Sequence, residues 1–220
     1  MPNKNKAPRP SRAASSPRKK PRLTRADHKA GTREQIRAAA WELFSTIGFE
    51  ATTTHAIAKR AGVAAGTVFV HASDKVDLLF LVMHDRLEET VSECFATLPS
   101  DAPLIERLLH VFRGVFAMYG QHPAVGAAFV KNLPGAKGPN AQRVSTLTFG
   151  FMHRLGLLVT DAQTRGEVAR DLVPMACAQN FFGLYFMALL GWLSGHLTLE
   201  TALDPILRSS FELQIRGLRP

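Results

Sequence analysis

Residues 53–69 read Thr53-Thr54-His55-Ala56-Ile57-Ala58-Lys59-Arg60-Ala61-Gly62-Val63-Ala64-Ala65-Gly66-Thr67-Val68-Phe69. Their spacing decides the fold. The Thr53 hydroxyl can accept backbone N–H bonds and cap a helix. Ile57, Ala58 and Ala61 then fall on one apolar helical face. Gly62 follows the last periodic residue, where a left-handed backbone costs least without a Cβ. Val63 plugs the corner, and a second helical segment begins at Ala64. Helix, short glycine turn and helix make a unit whose second helix can enter a major groove.

Working outward, a helix is expected from Thr32, whose spacing to Gln35 fits a capping box. Ile36, Ala39, Ala40, Leu43, Phe44 and Ile47 give it one apolar stripe, and Gly48 ends it. After the helix-turn-helix, Ser73 reads as the cap of a long helix through Leu78, Leu79, Val82, Met83 and Leu87 towards Cys94. Further helical patterns run from Leu104 to Tyr119, from Pro123 to Lys131, over Ala141–Leu158, over Leu172–Leu193, and over Leu199–Arg216 with Thr198 or Thr201 as cap. Leu133 to Asn140 is a loop by its prolines and glycines. No alternating run bounded by turns appears, so no strands are expected. The fold class is all-α: a three-helix N-terminal helix-turn-helix head and a larger C-terminal helical body. The expected divisions are a disordered basic arm over 1–23, a DNA-binding head over 24–75, and the body over 76–220.

Charge is placed to match. The chain of 220 residues carries a net +9, and 46% of it is hydrophobic, ample for a core. The arm alone holds +8, the head +2 and the body −1. Positive charge therefore sits at the end that carries the helix-turn-helix, as phosphate binding requires. Cys94 and Cys177 are too far apart in sequence for a metal motif or a disulfide framework, and read as buried thiols in a reducing cytoplasm. The N-terminus lacks the hydrophobic run of a secretory signal. Residues 172–199 lack Asp, Glu, Lys and Arg, but Pro174, Gln179, Asn180, Ser194 and His196 interrupt them. The strictly apolar part, Phe181 to Leu193, is shorter than the ~20 residues a bilayer needs. It reads as a helix buried on all sides, with no membrane partner.

The chain resembles the tetracycline-repressor (TetR) family of bacterial transcription regulators. The resemblance rests on Thr32-Arg33-Glu34-Gln35-Ile36, on Ala40-x-x-Leu43-Phe44-x-x-x-Gly48-Phe49, and on Thr53, Ile57-Ala58, Ala61-Gly62-Val63, Gly66-Thr67 and Lys75 before Leu78-Leu79. It implies a homodimer whose heads read a palindromic double-stranded operator. It also implies a body that binds a small effector and releases DNA, and pairing through the last two helices. The departures lie on the recognition segment. Where relatives carry a tyrosine that can bond a phosphate, this chain has Phe69, and Ala64-Ala65 stands where Ser-Lys is common.

The expected DNA contacts are Thr53, His55, Thr67, His71 and Lys75 by hydrogen bonds or charge, Phe69 in the aromatic position, and Ala65 and Val68 against thymine methyls. Arg22 and Arg25, with the rest of the basic arm, could reach the adjacent minor groove. Polar groups among aromatics nominate Arg113, Phe116, Phe149, His153, Asn180 and Tyr185 for a small apolar or aromatic effector. Gly191-x-x-x-Gly195 offers a close helix–helix approach for dimerisation. No cofactor, metal or catalytic residue is expected. Gly-x-Ser-x-Gly, His-Glu-x-x-His and P-loop motifs are all missing, which speaks against the alternative of a small helical enzyme. A second alternative, non-specific nucleic-acid binding by the basic arm, rests on residues 1–23 alone.

Overall fold

The computed structural model describes residues 24–220, so the basic arm and Arg22 lie outside it. All regular elements among the described residues are helical. The head begins with α1 (Arg25–Thr46), capped eight residues earlier than the Thr32 box suggests. Thr24 Oγ1 accepts from the Asp27 backbone N–H, and the Asp27 carboxylate accepts from Thr24 N–H at 2.8 Å. A carboxylate at the positive end of a helix dipole closes this box better than a neutral glutamine. Thr32 instead sits mid-helix and donates to the His28 carbonyl.

The next two elements follow the expected chemistry. α2 (Thr54–Ala61) is capped by Thr53, whose hydroxyl accepts from Ala56 N–H at 3.1 Å. It stops at Gly62, whose φ of 69° is left-handed. α3 (Ala65–Val68) is a single turn. Ile36, Ala40, Phe44, Ile57, Ala58 and Val68 form the head's buried interior. The long helix α4 (Lys75–Ala96) is capped by Asp74 rather than Ser73, its carboxylate accepting from Asp77 N–H at 2.8 Å. Leu78 through His84 are buried without a break, because α4 packs on α1 of the head and on α5, α6 and α7 of the body.

The body adds α5 (Leu104–Gln121), α6 (Pro123–Asn132), α7 (Pro139–Thr164) and α8 (Pro174–Leu193). A short turn, α9 (Leu199–Thr201), capped by Thr198, leads through a kink at Asp204 into α10 (Arg208–Gly217). An aromatic cluster fills its centre: Phe112 stacks on Tyr185 at 4.6 Å and meets Phe151 and Phe211.

Two readings of α8 are corrected. It is not buried on all sides, since Met175, Met187 and Leu190 are exposed along one face. Nor does Gly191-x-x-x-Gly195 form a helical contact stripe. α8 ends at Leu193, and Gly195 has a φ of 78° in the turn beyond it. A Cβ on Gly191 would lie 2.8 Å from Leu197 Cδ1. These glycines fold the chain back onto α8.

Candidate nucleic-acid interface and effector cavity

The recognition segment is anchored from behind and bare in front. Val68 is 1% exposed and Ala72 is also buried, both fixed in the head's interior. Val68 therefore cannot reach a base, contrary to the expectation from its spacing. The outer surface carries exposed Ala64, Ala65 and Gly66, half-buried Thr67, and then Phe69 and Val70, 53% and 66% exposed. Val70 had no signal in the sequence, since four residues of helix are too few to fix which side faces out.

Around this surface, Thr53 and His55 are exposed at the start of α2. The Thr53 oxygen serves as cap, which leaves its hydroxyl hydrogen free to donate to a phosphate. His71 is half-buried. Burial, together with the nearby Lys29 and Arg33 charges, holds its pKa below the usual imidazole value, favouring the neutral ring. Lys75 plays a different part from the expected one. Its Nζ donates to the Phe49 and Glu50 carbonyls at 2.9 and 3.2 Å and lies 4.4 Å from the centre of the Phe49 ring. It ties the α1–α2 loop to α4, and two of its three N–H bonds are spent there. Arg25 opens α1. Arg60 pairs with Glu42 at 2.7 Å and braces α2 against α1.

In the body, α4, α5, α6, α7 and α8 line a small, half-open apolar cavity of about 70 Å³. Leu87, Val91, Tyr119, Phe129, Leu147, Phe151, Tyr185 and Leu189 line it. A wider groove of about 470 Å³ adjoins it, sharing Leu133, Val144, Thr148, Phe182 and Phe186 with the inner cavity. The groove reaches the surface at Gly135, Ala136, Ser145 and Phe149. Tyr119 and Tyr185 bring hydroxyls to a lining that is otherwise almost wholly apolar. Burial pushes both phenols well above the usual value, so they remain protonated donors.

Of the residues nominated from sequence, Tyr185 lines the inner cavity and Phe149 the groove. The structure places the other four elsewhere. Arg113 pairs with Asp204 at 3.3 Å, fixing α5 to the kink before α10. Phe116 is fully buried against Tyr185 and Trp192. His153 and Asn180 are exposed on the outer faces of α7 and α8. Most of the lining residues were invisible as such, because an apolar wall and an apolar core have the same helical periodicity.

One acidic group on α4 has the makings of a cation site. His84 Nδ1 lies 2.8 Å from Asp85 Oδ1 and 3.9 Å from Glu88. Asp85, however, already faces Arg33, Arg37 and Arg143 at 3.6–3.7 Å. Three guanidinium groups satisfy that carboxylate and repel a dication.

The head and the body each have counterparts among known proteins. Residues 36–82 match the family model of bacterial regulatory proteins, tetR family. The fatty acid metabolism regulator protein of Bacillus subtilis (strain 168) is 22% identical over 184 residues, covering 84% of this chain and 94% of that protein. The solved structure of Bacillus subtilis FadR in complex with stearoyl-CoA superposes with a TM-score of 0.66 at 22% identity, over 84% of this chain and 99% of that one. Thermus thermophilus FadR, a repressor in complex with lauroyl-CoA, gives 0.64 at 23% identity, over 84% and 91%. These likenesses extend the shared fold through the body. The motif in the head, its match to the family model and the common fold lead to one conclusion: residues 36–82 are a DNA-binding domain of the tetR family of bacterial regulatory proteins, and the chain is a transcription regulator.

Proposed function

We propose that this regulator is a cytoplasmic repressor that holds a palindromic operator as a homodimer and releases it when a long-chain acyl-CoA occupies the body. The observation that carries this reading is the apolar cavity and its adjoining groove. Ligand sites are concave and mostly apolar, of roughly 300–1,000 Å³, with a few convergent polar groups. The groove falls in that range, and the narrow inner cavity offers an acyl chain a dry extension past Phe182 and Phe186. Tyr185 and Tyr119 supply the convergent donors, and Phe149 flanks the opening. Exposed Lys131 and Lys137, close in sequence to the groove residues Leu133 and Ala136, suit the phosphates of a nucleotide-bearing head group. The FadR structures bound to stearoyl-CoA and lauroyl-CoA share this fold, which supports the same class of effector.

Dimer formation fits the unpartnered face of α8. Met175, Met187 and Leu190, with Leu213 of α10, expose apolar surface that a second copy would cover. Thr53, His55, Ala65, Thr67, Phe69 and His71 would then face DNA from each head. The protein binds its effector and does not transform it.

The test is footprinting of full-length protein on the DNA flanking its gene, followed by titration with stearoyl-CoA, coenzyme A and stearate. Protection of a palindrome that only stearoyl-CoA abolishes is the expected result. Protection indifferent to stearoyl-CoA at saturating concentration would overturn the effector assignment, and the lack of any protected site would overturn the operator.

A further inference from the structure

The recognition surface has an unusual chemistry for a reader of DNA. Its outward residues Ala64, Ala65 and Gly66 bring no side-chain donor, and the two most prominent side chains are Phe69 and Val70. Single exposed apolar residues are ordinary. A phenylalanine and a valine side by side, on the one segment that the helix-turn-helix presents to a groove, need an occupant. The major groove offers one apolar group, the pyrimidine C5-methyl of thymine.

We infer that Phe69 and Val70 are specificity-determining residues that read thymine C5-methyl groups in each operator half-site by apolar contact. The inference rests on the operator-binding reading above. The geometry supports it in two ways. Val68 and Ala72 are buried on either side of the pair and fix its direction, so neither side chain can turn inward. The polar groups that could compete for base edges are few. Lys75 is tied to the Phe49 and Glu50 carbonyls, and Arg60 to Glu42. Affinity can come from phosphate contacts and the arm, while discrimination comes from methyl groups.

The experiment uses full-length protein and the fragment found by footprinting. Thymines of one half-site are replaced singly by deoxyuridine, which removes the C5-methyl and keeps every hydrogen-bonding atom. Burial of one methyl corresponds to about a fourfold change in affinity. The expected result is a loss near that size at one or two symmetric positions per half-site, and more than tenfold when both half-sites are substituted throughout. The double variant Phe69→Ser/Val70→Ser should bind thymine and uracil duplexes alike, and each single variant should lose part of the discrimination, with melting temperatures little changed because both side chains are largely exposed. Wild-type protein that binds the uracil duplex as tightly as the thymine duplex overturns the inference, as does a double variant that keeps the discrimination. Tightening on 5-methylcytosine without any effect of uracil would also overturn thymine as the source of the methyl. A missing footprint refutes the operator reading, whereas a footprint indifferent to uracil refutes this inference alone.

Discussion

Two carboxylates on α4, Asp77 and Asp85, join the head to the body by opposite means. Asp77 is fully buried and accepts four hydrogen bonds from Ser73, Asn140 and Ala141. Its donors are the Ser73, Asn140 and Ala141 backbone N–H groups at 3.0, 2.9 and 3.1 Å, and the Asn140 side-chain amide at 3.0 Å. Asn140 and Ala141 belong to the first turn of α7, whose N–H groups have no partner inside the helix. Asp77 is therefore the cap of α7, supplied from another helix. The same Asn140 amide donates to the His71 carbonyl at 2.9 Å, just past the recognition segment. Asp85 instead lies partly open to water, among three guanidinium groups at 3.6–3.7 Å. One joint is directional, dry and fixed, and the other is loose and electrostatic. A push on the cavity wall at Val144, one turn into α7, meets the rigid joint first.

The largest expected effect breaks the rigid joint. Asp77→Ala strands three backbone N–H groups and an amide in a buried site and should lower the unfolding free energy by about 3–5 kcal/mol. Urea denaturation measures it, and a loss below about 1 kcal/mol would erase the distinction between the two carboxylates. Asp77→Asn should be nearly as harmful, since one end of the amide presents N–H groups to donors that need an acceptor.

A second change probes the same joint from the side of α7. Gly138 has a φ of 115°, and a Cβ there would lie 2.6 Å from Asp77 Cγ. Gly138→Ala should cost about 1–3 kcal/mol, combining backbone strain with displacement of the carboxylate. In an Asp77→Ala background the clash with the carboxylate vanishes while that with Ser73 Oγ, 2.7 Å from such a Cβ, remains, so the two costs should add to less than their sum. Strict additivity in a double-mutant cycle would mean that the carboxylate adds nothing to the need for a glycine here.

How much of this was legible in the sequence depends on distance along the chain. The Thr53 cap and the Gly62 stop are local chemistry, and both stand where the spacing put them. The cap of α1 had two local solutions, Thr24 with Asp27 and Thr32 with Gln35, and the carboxylate decided between them. Asp77 with Asn140 lies 63 residues apart, and Arg113 with Asp204 lies 91 apart. No periodicity reports such pairs. Lys75 read as a free phosphate contact because its acceptors, the Phe49 and Glu50 carbonyls, are backbone atoms with no residue signature. Tyr185 could be nominated from its helical stripe, but its stacking on Phe112 and its place on a cavity wall needed the tertiary fold.

A smaller effect should follow from Asn140→Ala, which keeps the backbone bond to Asp77 and deletes the amide's bonds to Asp77 and the His71 carbonyl. Stability should fall by about 1–2 kcal/mol. The functional readout is separate. The ratio of operator affinities without and with stearoyl-CoA should shrink in this variant, because the link between α7 and the recognition segment is cut. An unchanged ratio would show that the signal crosses elsewhere, while an effector that never binds would show up directly in calorimetry.

The smallest effect belongs to Asp85. In Asp85→Asn the amide oxygen can still accept from His84, but the charge that attracts Arg33, Arg37 and Arg143 is gone. Those side chains are partly exposed and can turn their guanidinium groups into water, which backbone N–H groups at the start of a helix cannot do. The cost should therefore stay within about 1 kcal/mol at low ionic strength, as for other solvent-screened pairs. It should fade as salt rises, since at 1 M the screening length of about 3 Å is shorter than these N–O separations. Urea denaturation of wild type and variant at low and high salt checks it. If Asp85→Asn cost as much as Asp77→Ala at every ionic strength, both joints would be rigid, and the head could turn against the body only by bending α4 itself.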